Sequence, residues 1–159
     1  MTLTRKILLS IAAVVLLGNA SGLVTFLSVD GWYDQLVRPP GTPPDGTFGP
    51  VWLLIYTLLG LAVALVWHQP AEVRIKRRAL RLFTLQFTLN LLWTPAFFGL
   101  QRIDLALAVI LPLLLTIVLN IRAFLPIHRT AAWLLLPYLL WVGYATYLNI
   151  GFLLLNGNP

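Results

Sequence analysis

Apolar and polar positions in this chain fall into long blocks instead of alternating. No charged side chain lies between Lys6 and Asp30, a run of 23 residues, and charge-free runs of 26, 20 and 17 residues separate Asp45 from Glu72, Arg81 from Arg102 and Asp104 from Arg122. The 30 residues after Arg129 carry no charge at all. A helix needs roughly 20 apolar residues to cross a bilayer. The blocks therefore predict five spanning helices, at about 7–27, 49–68, 80–100, 104–124 and 131–154. Most connections are too short for a second, soluble domain, so residues 1–159 read as one membrane domain of the all-α class. A soluble bundle would need a polar face on every helix, and these segments have none.

Composition agrees with the pattern. Of the 159 residues, 59% are hydrophobic and 10% charged, against about 25% charged in soluble domains. Arg5 and Lys6 followed by an apolar run and "GNASG" have the outline of a cleaved leader. The apolar character resumes in "LVTFLSV", which favours a retained helix. There is no cysteine, so thiol and disulfide chemistry are excluded.

The net charge of +6 carries topological information. Basic residues gather at Arg5 and Lys6, at Arg74, Lys76, Arg77, Arg78 and Arg81, and at Arg122 and Arg129, while the opposite side has only Arg38 and Arg102. The positive-inside rule then puts the N-terminus and the loops near 69–79 and 125–130 in the cytoplasm, and the loop 28–48 and the C-terminus outside. "RIKRRALR" could in principle contact nucleic acid. It lies next to a span with no domain behind it, so anionic membrane lipids are its expected partner and nucleic acid is not.

The first loop, "SVDGWYDQLVRPPGTPPDGTF", is the one long connection, with four prolines, three glycines and three acids. Proline excludes a regular helix throughout, and long ordered loops are often functional lids. "DGWYDQL" is expected to form one short turn before "RPPGTPP" runs extended. Gly18 with Gly22, and Gly60 with Ala64, are small pairs at helical spacing. They point to close packing inside the monomer or to a homodimer.

The third span raises a chemical question. Gln86, Asn90 and Trp93 are spaced four and three apart, so they share one helical face, which Phe97 continues. Buried amides need hydrogen-bond partners. They either bond neighbouring helices or line a cavity for a ligand. Matching stripes occur elsewhere: Trp52 and Tyr56 in the second span, and Tyr138, Trp141, Ala145 and Asn149 in the fifth. A cavity walled by indoles and phenols with a few amides suits a flat apolar ligand with some polar edges. No carboxylate, lysine or histidine lies in mid-span, which argues against an ion pump or proton relay. His68 and His128 lack partners at metal-ligand spacing, so no metal site is expected.

Together "WYDQLVRPPGTPPDGTFGPVWLLIY", "LQFTLNLLWTPAFFG" and "LLPYLLWVGYATYLN" resemble the TspO/MBR family of tryptophan-rich sensory and translocator proteins, in order and over nearly the whole chain. The resemblance implies a five-helix membrane bundle, often dimeric, with a cavity beneath the first loop, which acts as a lid. It implies no obligatory cofactor and a porphyrin ligand such as protoporphyrin IX, with other lipophilic small molecules as further ligands. Carried over by motif, the ligand-binding residues would be Trp32, Tyr33, Pro43, Phe48, Trp52, Tyr56, Gln86, Asn90, Trp93, Phe97, Tyr138, Trp141, Ala145 and Asn149. Trp52 and Asn90 match positions that hydrogen-bond a ligand carbonyl. Trp32 and Trp141 match the pair tied to light-dependent porphyrin breakdown. The chain departs from the family in having Gly41 and Gly46 where tryptophan is common, and in lacking a sterol-recognition pattern after Asn149. The resemblance thus implies a tetrapyrrole-binding sensory protein in a bacterial cell membrane, with photo-oxidative degradation or transport as the alternatives.

Overall fold

The computed structural model describes residues 1–28 and 31–157, the side chains of 24–28 excepted. Among the described residues the structure is helical, with no strand. Five helices exceed 20 residues: α1 (Leu3–Ser28), α3 (Phe48–His68), α4 (Val73–Thr94), α5 (Ile103–Phe124) and α7 (Leu136–Asn156). Two short helices, α2 (Trp32–Gln35) and α6 (Arg129–Trp133), complete the set. By length and composition four segments can cross a membrane: Leu3–Leu23, Asp45–His68, Ile103–Phe124 and Arg129–Asn156.

α4 is the exception, and its sequence explains why. The basic run expected as a loop is helical from Val73, because Arg, Lys, Ala and Leu all favour helix. The charged turns and the apolar turns thus belong to one continuous helix. Leu82–Gly99 is charge-free, about 25 Å at 1.5 Å per residue. The last predicted span is also divided. Its first residues form α6, a turn follows at Leu134–Leu135, and α7 starts with Pro137 in its first turn, where a missing N–H is harmless.

The long helices close into a ring. α1 packs on α3 and α4, α4 on α5, and α5 on α7. α3 and α7 meet through side chains: Trp52 is edge-on to Tyr138 and Trp141, with ring centroids 6.4 and 6.5 Å apart. The α1–α3 contact depends on glycine. A Cβ on Gly60 would lie 2.5 Å from the Ile11 backbone, and one on Gly18 would lie 2.3 Å from the Tyr56 ring. Both small residues therefore serve packing within the monomer, whereas Gly22 faces open space.

α4 ends in a π-helical turn, Pro95–Gly99. Pro95 has no N–H, so the Leu91 carbonyl four residues earlier loses its helical donor. The Ser21 hydroxyl of α1 donates to that carbonyl at 2.8 Å. A neighbouring helix thereby repairs the broken ladder, as apolar surroundings require.

Gly60→Leu should force α1 away from α3 and lower stability by about 1–3 kcal/mol, as overpacking does. Thermal unfolding in detergent checks this, and Gly22→Leu should leave the melting temperature nearly unchanged.

Candidate functional site

The residues singled out by spacing collect in two aromatic groups. The first lies between α3 and α7. Trp52 stacks on Tyr56 with centroids 5.3 Å apart and an interplanar angle of 26°, and meets Trp141 at 90°. Phe48 is edge-on to Trp141 at 5.9 Å. Tyr138 is fully buried beside them, and Ala145 packs against the same cluster.

The second group lies where the loop meets the π-turn. Trp32 is edge-on to Phe97 at 5.8 Å. Tyr33 contacts Phe97, Phe98 and Phe152, and Trp93 stacks on Phe97 at 5.4 Å. Trp93 packs against both groups and joins them. Trp32 and Trp141 fall in different groups, with no ring contact between them among the described residues. Pro43 is half-buried in the loop, and among the described residues no hydrogen bond links it to either group.

The amides divide by environment. Tyr56 donates to Asn90 Oδ1 at 3.1 Å. Trp93 Nε1 donates to Asn149 Oδ1 at 3.0 Å, and Asn149 Nδ2 donates to the Ile103 carbonyl at 3.0 Å. Asn149 therefore ties α4, α5 and α7 together. Both amide atoms of Gln86 are buried without a partner, as is the Tyr138 hydroxyl. That hydroxyl lies beside Asn90 but outside hydrogen-bonding geometry. Among the described residues, no protein acceptor meets the indole N–H of Trp52 or the amide nitrogen of Asn90. On the stripe itself, Asn90 joins α4 to α3 through its oxygen and Trp93 joins α4 to α7 through Asn149.

The loop is strapped along α7. Val37 N donates to Asn156 Oδ1 at 2.7 Å, and Asn156 Nδ2 donates back to the Val37 carbonyl at 3.1 Å. Tyr147 donates to the Pro40 carbonyl at 2.9 Å, and Tyr144 donates to the Gly41 carbonyl. Each bond contributes about 0.5–1.5 kcal/mol net. The expected short turn is α2, after which Leu36 is extended with ψ 138°. Arg38 pairs with Asp34 at 3.1 Å and Asp45 at 3.0 Å and lies over the Tyr33 ring at 4.9 Å. Spacing did not single out Tyr144, Tyr147, Asn156 or Arg38. The signal was present as three polar side chains in a span whose other face had already explained the polar stripe. Asp30 lies outside the described residues.

Long apolar helices, a buried polar network and aromatic groups between helices define a multi-pass helical membrane protein. The chain belongs to the TspO/MBR family, whose pattern it matches over residues 10–155. It is 38% identical over 153 residues to tryptophan-rich protein TspO of Archaeoglobus fulgidus, covering 95% of this chain and 97% of that one. Tryptophan-rich sensory protein of Cereibacter sphaeroides is 37% identical, with 83% and 81% covered. Human translocator protein is 35% identical over 119 residues, with 74% and 70% covered.

Burial raises the pKa of the Tyr33 phenol, and Arg38 opposes the rise. A displaced Tyr33 ionises at about pH 10, while the docked one holds its proton to higher pH. The contribution of Tyr33 to docking is therefore complete below about pH 10 and lost as pH rises through the docked value. Alkaline titration followed by proteolysis of the loop should show increased cleavage in that window. Tyr33→Phe, with no proton to lose at that position, should reduce this step.

Proposed function

We propose that this chain is a five-span membrane receptor for a flat, largely apolar tetrapyrrole such as protoporphyrin IX. It has a sensory role, and the loop 31–47 serves as the cover of the binding site. The supporting observation is the pair of donors without protein acceptors, Trp52 Nε1 and Asn90 Nδ2, beside the aromatic rings between α3 and α7. Indole and phenol rings offer stacking surfaces to a conjugated macrocycle, and two donors would fix a carbonyl or carboxylate at its edge. The printed names of relatives, sensory protein and translocator protein, fit a ligand-responsive membrane protein.

The affinity test is a titration of protoporphyrin IX into the purified protein, read by the Soret band. Trp52→Phe and Asn90→Leu should each weaken binding about two- to tenfold, the worth of one neutral hydrogen bond. Tyr56→Phe removes the bond to Asn90 yet leaves both donors, so it should lower the melting temperature more than the affinity. Unchanged affinity in Trp52→Phe and Asn90→Leu, with only the melting temperature reduced, would assign these side chains to helix packing alone.

We also place the basic end of α4 in the cytoplasm. Five Lys and Arg residues gather there, at Arg74, Lys76, Arg77, Arg78 and Arg81, against only Arg38 and Arg102 on the opposite side. The natural absence of cysteine makes labelling clean. In right-side-out vesicles an impermeant thiol reagent should modify Gly46→Cys and spare Arg77→Cys; the reverse pattern inverts the topology.

A further inference from the structure

The basic end of α4 takes no part in the aromatic site. Lys76 is engaged locally: its ammonium donates to the Trp67 carbonyl at 3.1 Å, beside Lys6 at 3.4 Å, and together they satisfy the C-terminal end of α3. Arg74, Arg77, Arg78 and Arg81 make no ion pair among the described residues. Arg74, Arg78, Arg81 and Leu85 follow one another at helical spacing. Ala79, Phe83, Gln86, Phe87 and Asn90 are the buried residues of α4, so this stripe faces away from the bundle.

Beside it runs a groove of about 960 Å³, lined at one end by Glu72, Val73, Ile75 and the four arginines and at the other by Leu82 and Leu85. A second groove of about 740 Å³ on the adjoining flank shares Arg77, Arg81 and Leu85. Leu85 is 48% exposed. A cationic surface therefore passes into an apolar one along the helix axis, where the charge-free part of α4 begins.

We infer that this face of α4 is a binding site for an anionic phospholipid. The phosphodiester is held by Arg74, Arg78 and Arg81, and an acyl chain lies along Leu82 and Leu85. Guanidinium groups are the side chains best matched to phosphate oxygens. The arginines alone would suit any anion; their continuation into Leu82 and Leu85 selects one that carries a hydrocarbon chain. The site is on the opposite face of α4 from Asn90, so it is independent of the tetrapyrrole proposal.

Native mass spectrometry of the detergent-purified full chain tests this with dioleoyl phosphatidylglycerol and dioleoyl phosphatidylcholine at equal concentration. The anionic lipid should be retained about tenfold better. The triple variant Arg74→Gln/Arg78→Gln/Arg81→Gln should lose that preference, and Leu85→Gln should reduce retention severalfold at unchanged charge. Removing three charges elsewhere, with Arg5→Gln/Arg122→Gln/Arg129→Gln, should reduce retention less than the first triple variant does, because the proposed contacts remain. Excess inorganic phosphate should not displace the lipid. Equal retention of both lipids, equal losses in the two triple variants, or displacement by inorganic phosphate would each overturn the site. Circular dichroism checks folding, and if the first triple variant does not fold, Arg78→Gln and Leu85→Gln carry the comparison.

Discussion

The bundle rests on the rule that a polar group surrounded by hydrocarbon must find its partner inside the protein. Asn149 shows the consequence. Its oxygen takes the Trp93 indole N–H and its nitrogen serves the Ile103 carbonyl. One amide thus fixes the end of α4, the start of α5 and the middle of α7. Ser21 does the same for the carbonyl freed by Pro95, and Asn120 binds the Ala79 carbonyl at 3.1 Å to hold α4 on α5. In water such bonds would compete with solvent. Here they select which helices are neighbours.

Against that fixed frame the region between α3 and α7 is different. The two helices meet through rings, not through close backbone approach. Rings can slide and re-stack at less cost than interlocked backbones can move apart. The free donors of Trp52 and Asn90 and the unpartnered Tyr138 hydroxyl all belong to this region. Elsewhere in the interior, among the described residues, the Gln86 amide and Asn120 Oδ1 are also buried without a partner.

Much of this was legible in the sequence. Charge-free runs located the long helices to within a few residues, except where composition misled. The basic run was read as loop because charge marks the edge of a membrane, but charge does not end a helix. Spacing brought Gln86, Asn90, Trp93 and Phe97 to one face, and Trp93 does stack on Phe97. Spacing could not say that Asn149 is the partner of Trp93, which is 56 residues away, because pairing between helices depends on the ring order. Nor could it separate Gln86, which has no partner, from Asn90, which has one. The π-turn was hidden for a related reason: Pro95 announces a broken ladder, but the repair comes from Ser21 in another helix.

The loop strapped to α7 also bears on biogenesis. Val37 and Asn156 are 119 residues apart, so the loop emerges from the ribosome early and its anchor late. Domains assemble during synthesis from the N-terminal side, and long-range closures are slow. Tyr144, Tyr147 and Asn156 all arrive with the final helix. Until α7 is in place the Val37, Pro40 and Gly41 carbonyls lack the side-chain donors that tie them down. Protection of the loop therefore reports that α7 has docked against it.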